Sequence, residues 1–173
     1  MSLTFSRRSF LKYTAVAAVA VAGSSLLTGC KDNPYQPEGG IGDTLKIMGN
    51  FTLNSATLAD NTLTCNMTFK CTSSNDLNVR PSSFEIEVVS GDDSTYYRAN
   101  QAKNNKVNLD TARGDLAKNE EYTTNLTVGD ITVKDGDTIK VKYWPRDQAS
   151  GGNLAYTKAF ATWVMDYKNG KLV

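Results

Sequence analysis

Odd and even positions separate cleanly over "LTCNMTFKC", Leu63 to Cys71, where every odd residue is apolar or Cys and every even one is Thr, Asn or Lys. Alternation this strict predicts a strand with one face buried and one in water. The same period recurs in "FEIEVV", with Phe84, Ile86 and Val88 against Glu85 and Glu87. It returns in "EYTTNLTV", with Tyr122, Thr124, Leu126 and Val128 on one side, and in "TIKVKYW", with Ile139, Val141 and Tyr143 opposite Lys140 and Lys142. The closing "NLAYTKAFATWVMDY" predicts a last strand centred on Phe160, Thr162 and Val164, with Ala161, Trp163 and Met165 on its other face. Apolar residues on both faces place it inside a sheet.

Turn residues punctuate these runs at Asp60-Asn61, Gly91-Asp92-Asp93, Asp135-Gly136 and Ser150-Gly151-Gly152-Asn153. Asp-Gly supplies the positive φ of a tight hairpin, so Asp135-Gly136 is expected to join two paired strands. Between Lys103 and Lys118 neither period holds, and a short helix and a long loop both fit. Short alternating strands cannot bury their apolar faces in one open sheet, whereas two sheets face to face can. The expectation is an all-β domain over residues 44–173, an immunoglobulin-like antiparallel β-sandwich, with a small barrel as the alternative. The Cys-Trp-Cys core of antibody domains is absent, so the likeness is architectural.

The first residues follow another rule. "SRRSFLK", Ser6 to Lys12, places Arg7 and Arg8 ahead of an Ala- and Val-rich run from Tyr13 to Leu27. That run is shorter than the roughly 20 apolar residues a spanning helix needs. A basic start, a short apolar middle and small residues at the end describe a cleavable export signal. Arg7, Arg8, Phe10 and Leu11 resemble the signal of bacterial twin-arginine translocation. Leu27-Thr28-Gly29-Cys30 resembles a lipobox, in which small residues before the cysteine give peptidase and lipid transferase access to the backbone. Residues 1–29 are thus expected to be a lipoprotein signal peptide and Cys30 the lipidated first mature residue. A single acyl chain holds a protein marginally, whereas two or more hold it firmly. "KDNPYQPEGGIGD" follows, rich in Pro, Gly and charge, and residues 30–43 read as a flexible tether. The resemblance implies the translocase, lipoprotein-processing enzymes and membrane lipid at Cys30 as partners. It also implies the extracytoplasmic face of a bacterial cell membrane as the location.

Composition removes several function classes. Taking Arg7, Arg8 and Lys12 from 19 basic residues leaves 16 against 18 acidic ones in the mature chain, with no basic stripe for nucleic acid. There is no His, so Ser-His-Asp and Cys-His catalysis and His-based zinc sites are impossible. Cys65 and Cys71, six residues apart on one strand, would lie about 20 Å apart. That is too far for a disulfide or a shared metal, and they read as buried thiols. Glu85 and Glu87, about 6.6 Å apart on one face, have the spacing of a two-carboxylate hydrolase, but an open sheet face would leave both solvated. Asp92-Asp93 and Asp135-Gly136-Asp137 lack the spaced oxygens of a calcium loop and read as turn residues. No catalytic residue, cofactor or metal is expected. The remaining binding candidates are aromatic: Trp144, placed outward by alternation with Tyr143, together with Tyr97 and Tyr156.

The stretch Asn66 to Asn100, with its alternating strand to Cys71, Pro81 to Val88, Gly91 and Tyr96-Tyr97, resembles the extracellular Ig-like, telokin-like immunoprotective-antigen domains of bacterial lipoproteins. "LAKNEEYTTNLTV", Leu116 to Val128, resembles the same family's acidic turn and following strand. The resemblance implies a sandwich at the cell surface and brings no catalytic residues. The expected function is a membrane-anchored, non-catalytic domain that binds an extracellular protein or glycan or serves a structural role. The alternative is a small-ligand or glycan-binding lipoprotein with an aromatic groove, serving a transporter. Changing Arg7 and Arg8 together to Lys should abolish export while leaving the charge intact. Undiminished surface display of that variant, measured by protease shaving of whole cells, would refute the route.

Overall fold

The computed structural model describes residues 36–72, 77–99, 106–111, 113–145 and 160–173. In chain order the strands are β1 (Glu38–Gly39), β2 (Thr44–Lys46), β3 (Gly49–Ala59), β4 (Thr62–Cys71), β5 (Leu77–Val79), β6 (Phe84–Ser90), β7 (Asp93–Arg98), β8 (Val107–Leu109), β9 (Arg113–Leu116), β10 (Glu121–Val128), β11 (Thr138–Tyr143), β12 (Ala161–Lys168) and β13 (Lys171–Leu172). A 3-10 turn, Pro81–Ser83, leads into β6. One sheet runs β2-β3-β4-β10-β8 and the other β1-β12-β11-β6-β7, with β13 beside β12; β5 and β9 pair separately. If β3, β4, β8 and β10 are lettered A, B, D and E, and β6, β7, β11 and β12 are C, C′, F and G, this is the strand order of an immunoglobulin-type sandwich.

Each alternating run buries the face that its sequence marks. Leu63, Cys65, Met67, Phe69 and Cys71 of β4 are fully buried, and Leu126 and Val128 of β10 face the same interior. The second sheet contributes Phe84, Ile86 and Val88 from β6, Ile139, Val141 and Tyr143 from β11, and Ala161, Trp163 and Met165 from β12. The sheets meet on a ring cluster. Tyr143 lies 4.9 Å from Phe51 and 5.0 Å from Phe69, both edge-on, and 5.0 Å from Phe84. Such tilted contacts suit the ring quadrupoles and add to area burial. The two polar atoms on the core's large rings are matched, the Tyr143 hydroxyl donating to the Asn78 carbonyl at 2.8 Å and Trp163 Nε1 to the Asp43 carbonyl at 3.2 Å, whereas the buried Ser83 and Thr124 hydroxyls have no hydrogen-bond partner among the described residues. Burial, reinforced by neighbouring Cys71, raises the Tyr143 phenol above its ordinary range.

Cys65 and Cys71 are both buried, as their place on the apolar face of β4 predicts. Burial pushes the Cys65 thiol up to about 12. Gly49 opens β3 where a side chain has no room, since a Cβ there would stand 2.6 Å from the Lys70 carbonyl oxygen.

The turns divide into two kinds. Asp60 and Asn61, both at positive φ (48° and 56°), close the β3–β4 hairpin, and Gly91 (φ 59°) opens the β6–β7 turn. Asp135-Gly136 departs from expectation. Residues 131–134 form no strand, and the turn closes from Asp137 N to the Lys134 carbonyl at 3.0 Å before β11 begins. Only Gly136 needs positive φ, at 92°, as in a type II turn. A hairpin unmarked by the strand pattern lies at Asn169-Gly170 (φ 53° and 75°), joining β12 to β13. Its Asn-Gly pair is the residue choice a type I′ turn demands.

The uncertain stretch from Lys103 to Lys118 holds β8 and β9 in its described part, with no helix there. Ser150 to Asn153 lies outside the described residues. The expected tether, 30–43, is shorter at its end: Glu38 and Gly39 pair in parallel with Thr162 and Trp163, and the Pro37 carbonyl accepts from Thr162 N at 3.0 Å. Pro37 lacks a donor but keeps its acceptor, which is all this edge position uses. With β11 on one side and β1 and β13 on the other, β12 is interior, as its two apolar faces predict.

Removing one ring from the cluster should be expensive. Phe69→Ala is expected to lower stability by about 3–5 kcal/mol, read as a shifted urea midpoint at unchanged slope. A loss under about 1 kcal/mol would mean that the rings do not join the sheets.

Candidate functional site

Long side chains form a grid on the outward face of the β7-β6-β11-β12 sheet. Register sets Arg98, Glu85, Lys142 and Thr162 in one row. Tyr96, Glu87, Lys140 and Val164 form the next, followed by Ser94, Val89, Thr138 and Asp166. Directly opposed residues on one face are the closest neighbours a sheet offers, so acid meets base on both sides of β6.

Glu85 and Glu87 were expected to stand in solvent, and the structure corrects this: they are only 5% and 8% exposed. β6 is an interior strand, so the longer side chains of β7 and β11 roof it. Lys142 Nζ donates to Glu85 Oε1 at 3.2 Å and to Glu87 Oε2 at 2.9 Å. The Arg98 guanidinium takes Glu85 Oε2. Ser94 and Tyr96 hydroxyls donate to Glu87 Oε1 at 3.0 and 3.2 Å, and Lys140 stands 4.0 Å from Glu87 Oε2. Every oxygen of both carboxylates therefore has a protein donor. Above them the Tyr96 ring, the most exposed aromatic of the described residues at 38%, lies 5.7 Å from the Arg98 guanidinium carbon and 5.9 Å from Lys142 Nζ.

Burial pulls the Glu87 carboxyl upward, but hydrogen bonds from Lys142 and Ser94 and the charges of Lys142 and Lys140 outweigh it and hold the group below its ordinary 4.5. Burial likewise pulls Lys142 down, and its bonds and charge contacts with Glu87 and Glu85 outweigh that, raising it above 10.5. The pair is fixed in its ionised form. A general acid needs a proton to give near neutral pH, and the lowered Glu87 carboxyl holds none there.

The aromatic candidates do not converge. Tyr97 is buried, and its hydroxyl accepts from Thr132 N at 3.2 Å. Trp144 stands one step beyond the Lys142–Thr162 row and is half-buried against Phe160 at a ring separation of 5.2 Å. Tyr156, Cys30, Arg7, Arg8, Phe10, Leu11 and Leu27 to Gly29 lie outside the described residues. Asp135 and Asp137 serve turns: Asp135 Oδ1 accepts from Asn169 N at 2.5 Å and Asp137 Oδ2 from Lys134 N at 2.8 Å.

The outer face of the other sheet carries a polar ladder that alternation alone does not reveal. Asn54 Nδ2 donates to Asn66 Oδ1, Asn66 Nδ2 to Asn125 Oδ1 (both 2.8 Å), and Asn125 Nδ2 to Asp110 Oδ2 at 2.7 Å. Threonine hydroxyls pair beside it, Thr44 with Thr52 and Thr68 with Thr123. The polar residues of β4 announce an exposed face, but their partners sit on strands distant in sequence.

Residues 4–24 match the family model of the TAT (twin-arginine translocation) pathway signal sequence. The chain carries a twin-arginine export signal. It is handled by that translocase and crosses the cytoplasmic membrane to an extracytoplasmic location. No curated protein matches the sequence. Among solved structures, the chain is similar to the yjhA protein from Bacillus subtilis, with 15% identity over 72% of this chain and 97% of that one at a TM-score of 0.49. It is also similar to the archaellum periplasmic stator protein FlaG from Sulfolobus acidocaldarius, with 5% identity over 67% of this chain and 98% of that one at a TM-score of 0.43.

The ion network has a defined pH window. Glu87, a stronger acid folded than unfolded, contributes fully above its ordinary 4.5 and loses that contribution as pH falls through the lowered value. Lys142 contributes fully below 10.5 and loses it as pH rises through the raised value. Lys142→Met leaves the burial but removes the counter-charge. The Glu87 carboxyl should titrate higher by carbon-detected NMR, with a stability loss of about 2–3 kcal/mol at neutral pH. An unmoved Glu87 titration would show that Lys142 does not hold the pair.

Proposed function

We propose that this protein is a lipoprotein, anchored through Cys30 at the extracytoplasmic face of a bacterial cell membrane, that displays a non-catalytic immunoglobulin-like domain as a binding or structural surface. The saturated carboxylate pair carries the non-catalytic part of this reading. Glu85 and Glu87 have a spacing that suits hydrolysis, yet every one of their oxygens accepts from Lys142, Arg98, Ser94 or Tyr96. A substrate would have to displace an ion network before it met an acid. What the domain offers a partner instead is the grid itself, with Tyr96 and Arg98 as its accessible parts. Its partner class is an extracellular protein or glycan that contacts this sheet face.

The lipobox Leu27-Thr28-Gly29-Cys30 at the end of a matched export signal supports the anchor. The short Pro- and Gly-rich link then leaves the domain close to its membrane. Cys30→Ala removes the thioether sulfur and should release the protein from the membrane fraction after carbonate washing. Retention equal to the parent's would overturn the anchorage.

A further inference from the structure

The tether and the aromatic pair at Trp144 and Phe160 belong to the same end of the sandwich. In the parallel register Glu38 stands opposite Thr162 and Gly39 opposite Trp163. Two steps back along the same register bring Gln36 alongside Phe160. Gln36 is six steps along the chain from Cys30, and six fully extended steps span about 22 Å. The end of the domain bearing Phe160 is therefore the part the tether holds nearest to the lipid.

That end has the chemistry of an interfacial contact. Trp144 leaves β11 directly after Tyr143 and is fixed by its backbone N–H, which donates to the Ser83 carbonyl at 2.9 Å. Phe160 precedes Ala161, the partner of Tyr143, so both rings lie on the outward face just past the last paired row. Their centroids are 5.2 Å apart and their planes inclined by 39°, and each is half-buried. Aromatic rings with one apolar and one wet side favour the headgroup boundary of a bilayer. Arg80, exposed beside the 3-10 turn that precedes Phe84, lies at the same end because Phe84 is opposite Tyr143. Glu38, opposite Thr162, is exposed at the same end.

We infer that Trp144 and Phe160 form a membrane-docking edge that seats the domain on the leaflet holding the Cys30 lipid, so that the charged grid stands upright beside the bilayer. This rests on the lipid anchor proposed above. The test uses the native lipidated protein, its modification confirmed by mass spectrometry, in vesicles of phosphatidylethanolamine and phosphatidylglycerol with or without bromine on the upper acyl chain. The chain has two tryptophans, and Trp163 is sealed in the core. Trp144→Phe keeps a ring against Phe160 and leaves Trp163 as the sole emitter. Emission of the parent should fall on brominated vesicles, and that of Trp144→Phe should be the same on both. Equal emission of the parent on both vesicle types, with the lipid present on Cys30, would overturn the docking edge and leave the anchor standing. An unmodified Cys30 would overturn both.

Discussion

Everything else in this domain is positioned by the contact between Phe51 and Phe69 on one sheet and Phe84 and Tyr143 on the other. These rings are among the largest fully buried side chains, and they interlock at tilted angles. A sheet slipped by one residue would turn its apolar set into water, so the cluster fixes register as well as proximity. Tyr143 is the pivotal member. It packs against three rings, and its hydroxyl reaches the Asn78 carbonyl of β5, tying the small β5–β9 pair to the main body. The next residue along the chain, Trp144, emerges on the opposite face.

Register set by the core decides which charges meet outside. Because Tyr143 lies opposite Phe84 on the inner face, Lys142 must lie opposite Glu85 on the outer one. The outer network is thus a consequence of inner packing. Its components are individually ordinary, and exposed ion pairs contribute little. What distinguishes this set is that one ammonium, Lys142, is shared by two carboxylates on an interior strand whose remaining oxygens are also bonded. Loss of one member leaves others buried without a partner, and that asymmetry is what gives such networks specificity.

The same distinction explains what could be read from the chain. Period-two alternation reports which face a residue takes, and it located β4, β6, β10, β11 and β12 and the buried thiols Cys65 and Cys71. It does not report which strand lies alongside, so Glu85 and Glu87 looked solvated, although the lysines and arginine that roof them were all in view. The polar ladder through Asn54, Asn66, Asn125 and Asp110 was hidden for the same reason. Local turn chemistry was legible where the turn needs particular φ values, as at Asp60-Asn61, and misleading at Asp135-Gly136. A glycine at positive φ serves a type II turn as well as a hairpin. β1 escaped notice because two residues flanked by Pro and Gly carry no period, and its pairing uses only backbone groups.

Export by the twin-arginine route places a further demand on this architecture. The resemblance that identifies the signal implies that the domain folds in the cytoplasm, before the oxidising side is reached. Nothing in its described core depends on a disulfide, and its stability rests on ring packing, alternation and ion pairing, all available in a reducing compartment. After export the thiols face an oxidising milieu, where reactivity depends on thiolate formation and access. Cys65 fails on both counts, being sealed in the core with its thiol pushed up to about 12. The burial of Cys65 and Cys71 thus keeps them from cross-linking the protein once it is outside.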